Sequence, residues 1–368
     1  MLKIINVCAA RPNFQKIAPL MRAYKKYKDI KPILVHTGQH YDANMSDTFF
    51  KELNIPKPKY NLGVGSGSHA EQTARTMIEF EKVCIAEKPN LVVVVGDVNA
   101  TIACALVACK LHIKVAHVEA GLRSWNRDMP EEINRILTDS ISDYLFVSED
   151  SGIVNLSKEG VPSHKVHYVG NVMIDTLLYM WPKIKADGTY RKMGLKPDEY
   201  VILTLHRPSN VDSKETLKRI LSTLNQIQKR KKIIWPIHPR TKKNIETFGL
   251  KNELNKMTNI IITEPLGYIE FMNLVRGSSF VMTDSGGIQE ETTYLKKPCI
   301  TMRGETERPS TVAAGFNLLV GNDNRKVMKA VDSILRKKAN GYIPKFWDGG
   351  TAERIVKILH KEYKRENL

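Results

Sequence analysis

Three features of the 368-residue chain predict an α/β fold made of two doubly wound domains, each a parallel sheet covered by helices on both faces. Short β-rich apolar runs alternate with amphipathic helical stretches throughout, the pattern of repeated β-α units. Runs such as Leu91-Val92-Val93-Val94-Val95 are continuously apolar, as parallel strands buried on both sides must be. Six runs lie on either side of a polar, strandless stretch at 181–199, which reads as a linker.

In the first half the predicted strands are 3–8, 33–37, 91–95, 115–118, 144–147 and 166–169, with helices over 69–87 and 131–142. The glycine-rich 63–67 follows no clear strand and reads as a loop. The second half gives strands at 201–205, 233–237, 259–262, 280–283, 299–301 and 317–320, with helices over 214–228 and 328–337. The predicted domains are 1–170 and 171–350. A last helix follows in 351–368. Its apolar residues at 352, 355, 356, 359 and 363 form one face that must pack on a neighbour, the first domain being one candidate and the periodicity not naming it.

Composition excludes several classes. Gly plus Pro is too sparse for a fibrous chain. No apolar run approaches the ~20 residues that span a bilayer, and the first strand begins too early for a secretion signal, so no membrane partner is expected. Five cysteines (Cys8, Cys84, Cys104, Cys109, Cys299) show no paired spacing and read as mostly buried thiols of a reducing, cytoplasmic compartment. The net charge of +17 is spread over short lysine runs, mostly on outer helix faces, rather than concentrated on one recognition element, which speaks against nucleic acid as a partner.

In open parallel sheets ligands bind beyond the carboxyl ends of the strands, so polar residues that follow strands are the candidates. Thr283-Asp284-Ser285-Gly286-Gly287-Ile288-Gln289-Glu290-Glu291 closes a strand and opens a helix. Ser285 is a suitable N-cap, and the glycines admit a ligand to the backbone. Amides and helix dipole together suit a diphosphate. Glu291, on the first turns, suits ribose hydroxyls. After the first strand, Arg11 and Lys16 lie near a helix start, where cations make sense if they face an anion or a carboxylate. Asp97 and Glu119 follow the next strands and Glu131 opens a helix close downstream, and mutual repulsion and burial would raise their pKa values into the range of acid–base work. His206-Arg207 and His238-Pro239-Arg240 close strands of the second half and suit phosphate binding or proton transfer. Arg303 and Arg308 add charge to the same rim.

Taken in order, Ala10-Arg11-Pro12 with Lys16-Ile17-Ala18-Pro19, Thr37-Gly38-Gln39-His40, Gly96-Asp97, His117-Val118-Glu119-Ala120-Gly121-Leu122-Arg123, Pro130-Glu131-Glu132-Ile133-Asn134-Arg135, the Asp284–Glu291 segment and Glu307-Arg308-Pro309 resemble the non-hydrolysing UDP-N-acetylglucosamine 2-epimerases. The resemblance runs from about Arg11 to Arg308. It implies two Rossmann-like domains facing across a cleft, the GT-B architecture, and reversible conversion of UDP-GlcNAc to UDP-ManNAc for cell-surface polysaccharide. It also implies a homodimer, and neither a metal nor a nicotinamide cofactor. By the same resemblance Asp97, Glu119 and Glu131 are the acid–base carboxylates and His206 the cleft histidine. Arg11, Lys16, Ser285, Gly286, Gly287, Glu291 and Arg308 contact the nucleotide, and Leu266 and Phe271 contact its uracil.

The sequence also departs from that family. His206-Arg207-Pro208-Ser209-Asn210 stands where many relatives carry His-Arg-Arg-Glu-Asn, and Arg11-Pro12-Asn13 where many carry Arg-Pro-Glu. In members activated by their own substrate, a second UDP-GlcNAc site draws on these segments. Gln39, His40, Arg207 and His238 are kept, but Asp42 and Ser209 are not the usual Gln and Glu, so weak or absent activation is expected. Alternatives are a 2-epimerase of UDP-2,3-diacetamido-glucuronate, with Arg123, Arg127 or Arg303 as reader of the uronate, a hydrolysing 2-epimerase, and a GT-B glycosyltransferase.

Overall fold

Thirteen strands, among the residues described, form two wholly parallel sheets. The computed structural model describes residues 1–38, 50–337 and 339–366, without the Arg11 side chain, so Gln39, His40 and Asp42 lie outside the described residues. The first sheet holds β1 (Leu2–Cys8), β2 (Ile30–His36), β3 (Tyr60–Asn61), β4 (Leu91–Val95), β5 (Lys114–Ala120), β6 (Tyr144–Val147) and β7 (Val166–Tyr168). The second holds β8 (Tyr200–Thr204), β9 (Lys232–Pro236), β10 (Ile260–Thr263), β11 (Phe280–Thr283), β12 (Cys299–Thr301) and β13 (Asn317–Leu319).

The strand orders are β3-β2-β1-β4-β5-β6-β7 and β10-β9-β8-β11-β12-β13. Each sheet is therefore doubly wound, with its order reversing between its first and fourth strands, at β1/β4 and at β8/β11. Crevices open at such points, because the flanking connections leave to opposite faces of the sheet.

Continuous apolar strands fill both cores. Val92 and Val94 of β4 pack against Phe80 and Val83 of the helix His69–Glu87. That helix starts with a capping box: Ser68 Oγ accepts from the Glu71 amide at 3.3 Å, and Glu71 Oε2 accepts from the Ser68 amide at 2.8 Å. In the second sheet Trp235 and Ile233 of β9 join Leu217, Leu221 and Leu224 of the helix Lys214–Ile227. Fully burying each such side chain contributes roughly 1.5–3 kcal/mol. Cys8, Cys84, Cys104 and Cys299 are buried free thiols, while Cys109 is exposed.

The chain divides into two units, Met1–Tyr179 with Lys345–Leu368, and Met180–Pro344. The divisions lie several residues from the expected 170 and 350, for a structural reason. The helix Val172–Ala186 begins in the first unit, where Thr176 Oγ1 donates to the Gln15 carbonyl at 2.6 Å. The returning segment is fixed there by Trp347, whose Nε1 donates to the Ser148 carbonyl at 3.0 Å. The stretch expected to be a linker is thus largely helical, in Val172–Ala186 and Thr189–Lys192.

The last helix, Thr351–Glu366, buries Ala352, Ile355, Val356 and Leu359 and packs on the helix Arg11–Tyr24. Asp175 caps its start, accepting from the Thr351 and Ala352 amides at 3.2 and 2.7 Å. Burial pushes the Asp175 carboxyl up to about 6, only partly offset by those amides. The folded state therefore binds this proton more tightly than the unfolded chain does. The contribution is full below the ordinary value of 3.8 and is lost as pH rises through about 6, a change of up to roughly 3 kcal/mol. Asp175→Asn is expected to abolish that loss. Urea unfolding of variant and wild type from pH 4 to 7 measures the difference.

Candidate active site

Beside the reversal point of the first sheet two of the predicted residues, Lys16 and Glu119, meet. Lys16, on the helix Arg11–Tyr24, reaches Glu119 at the end of β5, with Nζ 2.5 Å from Oε2 and both side chains buried. Glu119 has a left-handed backbone, φ +73°, where the register between β5 and β6 shifts. A side chain costs about 1–2 kcal/mol there, and such strain concentrates at functional positions. Beneath the ammonium lies Gly96, φ +69°, where an added Cβ would stand 2.8 Å from Lys16 Nζ. Gly96→Ala is expected to cost about 1–2 kcal/mol in backbone strain and to push Lys16 from Glu119. Thermal unfolding, with a crystal structure of the variant, checks both.

Asp97 follows Gly96 and pairs with Arg135. The Asn134 side chain donates to the Asp97 carbonyl at 2.9 Å. Glu131, half-buried, stands in the first turn of the helix Pro130–Ile141. Its neighbour Glu132 is fully buried and ties down the preceding loop, accepting from the Ser124 and Trp125 amides at 3.0 and 2.9 Å and from Arg135 at 2.5 Å. Burial would raise the Glu132 carboxyl, but these donors outweigh it and hold it below its ordinary value. Two of the three expected acids are paired with cations, Glu119 with Lys16 and Asp97 with Arg135.

The reversal point of the second sheet carries a histidine dyad. β8 and β11 pair with Thr204 opposite Thr283, so the residues just beyond them, His206 and Asp284, meet. His206 Nδ1 lies 2.9 Å from Asp284 Oδ1. The unexposed carboxylate also accepts from the His206 and Arg207 amides, at 3.0 and 2.8 Å, and from Asn210 Nδ2 at 3.1 Å. Burial alone would raise Asp284, but the His206 ring and the two amides hold it below its ordinary value. The His238 ring lies 5.6 Å from that of His206, and its Nδ1 accepts from the Arg240 amide.

Ser285 occupies the N-cap of the helix Gly286–Tyr294 in an extended conformation, but its hydroxyl makes no capping hydrogen bond, contrary to the reading of the sequence. Gly286 lies against Glu307: a Cβ there would meet Glu307 Oε1 at 2.6 Å and displace that side chain. Glu291 Oε1 accepts from the buried Tyr268 hydroxyl at 2.7 Å. Arg308 pairs with Glu290 at 2.6 Å and Arg303 with Glu307 at 2.9 Å, all buried. Leu266 precedes the helix Tyr268–Gly277, which carries Phe271, and both side chains are half-buried.

Sequence reasoning missed Arg135 and Tyr268 as partners of candidate residues, and Asp284 as the carboxylate behind His206. The last was within reach, since the doubly wound order places the first and fourth strands of each domain side by side. Among the described residues no three His, Cys, Asp or Glu side chains are grouped to hold a metal ion, and no helix is long and apolar enough to cross a membrane.

Comparison with known proteins agrees with this architecture. A solved Methanocaldococcus jannaschii UDP-GlcNAc 2-epimerase, in complex with UDP-GlcNAc and UDP, superposes with a TM-score of 0.92 at 48% identity, covering 98% of this chain and 100% of that one. A sucrose-phosphate synthase from Thermosynechococcus elongatus, 11% identical with a TM-score of 0.66, shares the fold alone. The UDP-N-acetylglucosamine 2-epimerase of M. jannaschii is 48% identical over 363 residues, 97% of this chain and 99% of its own. A Pseudomonas aeruginosa UDP-2,3-diacetamido-2,3-dideoxy-D-glucuronate 2-epimerase is 41% identical over 364 residues, 98% of this chain and 100% of its own. The family model described as UDP-N-acetylglucosamine 2-epimerase matches residues 22–360, and this chain, an enzyme of the two-domain GT-B fold, belongs to that family.

Proposed function

We propose that the protein interconverts UDP-GlcNAc and UDP-ManNAc by eliminating UDP and adding it back, supplying activated ManNAc for cell-surface polysaccharide. The C2 proton of the sugar is not beside a carbonyl. Departure of UDP from C1 builds oxocarbenium character, which acidifies C2–H and gives 2-acetamidoglucal plus UDP. Re-addition with protonation on the opposite face of C2 inverts that centre. The reaction needs acid–base groups for the two faces of the ring and donors for the pyrophosphate.

The observation that carries this reading is Glu119, buried, held in a left-handed conformation at a strand end and matched to Lys16, with Asp97 on the adjoining strand end. We assign Asp97, Glu119 and Glu131 to proton transfer. We assign His206, oriented by Asp284, to the departing phosphate, and the helix start at Ser285, Gly286 and Gly287 with Glu291 and Arg308 to the nucleotide. We assign Arg11 and Lys16 to nucleotide binding as well, and Leu266 and Phe271 to the uracil. The four buried thiols support the cytoplasm as its compartment.

The P. aeruginosa relative favours a second reading, with the 2,3-diacetamido-glucuronate sugar as substrate. A uronate asks for an extra cation. Arg123 is already bound by Asp139 and Glu159, at 2.7 and 2.6 Å, and Arg303 by Glu307, so both are neutralised in place. Arg127 is exposed.

Incubation with UDP-GlcNAc in D2O, followed by NMR, tests the proposal. UDP-ManNAc deuterated at C2 is expected. Free ManNAc means hydrolysis, and turnover of the uronate sugar alone means the second reading. Because Asp42 and Ser209 replace the Gln and Glu usual in self-activated members, the rate is expected to depend hyperbolically on UDP-ManNAc. A sigmoidal curve relieved by traces of UDP-GlcNAc refutes that expectation.

A further inference from the structure

Behind the carboxylate-bearing turns of the first unit lies a fully buried histidine that the proposed chemistry does not use. His117, in the middle of β5, is unexposed. Its Nδ1 is 2.6 Å from Asp139 Oδ1, and its Nε2 is 2.8 Å from the Gly96 carbonyl. Both neighbours are acceptors, which the ring satisfies fully only when both nitrogens carry protons. Asp139, on the helix Pro130–Ile141, is itself buried. Its Oδ2 accepts from the Gly121 amide at 2.9 Å and from Arg123 Nη2 at 2.7 Å, and Glu159 accepts from Nε and the same Nη2 at 2.7 and 2.6 Å.

The placement of these bonds is specific. Residues 117 and 121 bracket Glu119, so the two oxygens of Asp139 clamp the chain on either side of the one left-handed residue of the bulge. The other ring nitrogen holds the carbonyl of Gly96, immediately before Asp97, and the Gly96 amide in turn donates to the Val118 carbonyl at 3.1 Å. One buried couple thus fixes both turns. Gly121 cannot yield, for it has φ +78° and an added Cβ would lie 2.5 Å from the Gly152 carbonyl oxygen.

We infer that His117 and Asp139 are positioning residues, whose joint hold on Gly96 and Gly121 sets the Asp97 and Glu119 carboxylates for the reaction. The inference rests on the function proposed above, and two readouts of His117→Gln separate their fates. Gln keeps a donor near the Nε2 position but releases Asp139. In epimerisation of UDP-GlcNAc we expect kcat to fall at least tenfold, with KM and UDP affinity within about threefold. Amide hydrogen exchange needs no substrate: protection of Gly96 and Gly121 should fall at least tenfold while that of Val93 and Ile5 persists. A wild-type enzyme that leaves UDP-GlcNAc untouched ends the functional reading, and the exchange measurement then decides this one. Unchanged exchange, or folded His117→Gln with unchanged kcat, overturns it. If His117→Gln does not fold, His117→Asn, which keeps the Asp139 bond and releases Gly96, is measured in the same way. Loss of the fold in both, read by circular dichroism, also overturns it, because the couple would then support the unit as a whole.

Discussion

Glu119→Gln is expected to lower C2 deuterium incorporation about 10³-fold, within the 10²–10⁴ range of a single acid–base group. The amide is nearly isosteric and keeps an acceptor for Lys16, so the shape of the site survives while its proton chemistry is lost. The structure adds a second consequence. Glu119 is the counter-charge of a buried ammonium only 2.5 Å away. Removing one partner of such a pair costs about 3 kcal/mol, because the other charge stays buried. The variant should therefore melt lower as well as turn over slowly. Full activity in D2O would remove Glu119 from the mechanism. Unchanged melting would show that Lys16 finds another partner.

Asp284→Asn has the next largest expected effect, a loss of turnover of about 10²-fold together with a marked loss of stability. The carboxylate gathers four donors at full burial, two of them backbone amides, and fixes the His206 ring through Nδ1. Asn offers one acceptor oxygen, and its own N–H groups face donors. The sign of the pH dependence follows from a folded-state pKa below the ordinary 3.8. A depressed carboxylate stabilises the fold above about pH 4, and that contribution is lost as pH falls through the folded value. The stability gap between wild type and Asp284→Asn should be widest near neutral pH and narrow below pH 4. Urea unfolding at pH 7 and pH 3.5 measures it, and a gap that widens in acid contradicts the assignment.

Asp97, Glu119 and the histidines of the candidate site were legible because they follow apolar runs, where a parallel sheet delivers its ligand-facing residues. Nine of the twelve strands legible in the sequence are interior, where parallel strands are buried on both faces and read as apolar runs, while β7, β10 and β13 are edge strands with short runs of their own. The thirteenth, Tyr60–Asn61, escaped because a two-residue edge strand has no run to read. Ser285 was misjudged as a cap by its side chain, since residue type gives the preference at that position and not the rotamer.

By itself, then, the order of residues determined the fold class, the strand ends and the chemical types gathered at them, since each depends on local periodicity and on what the backbone buries. Only the tertiary structure decided which charges meet. Lys16 and Glu119 are separated by 103 residues, His206 and Asp284 by 78, and the partner of each is set by strand order and register. The left-handed turn at Glu119 belongs to the same class: a Glu carries no local preference for it, and the clamp that holds it, Asp139, comes from another element. Pairing across a parallel sheet is a long-range interaction, invisible to any window of neighbouring residues.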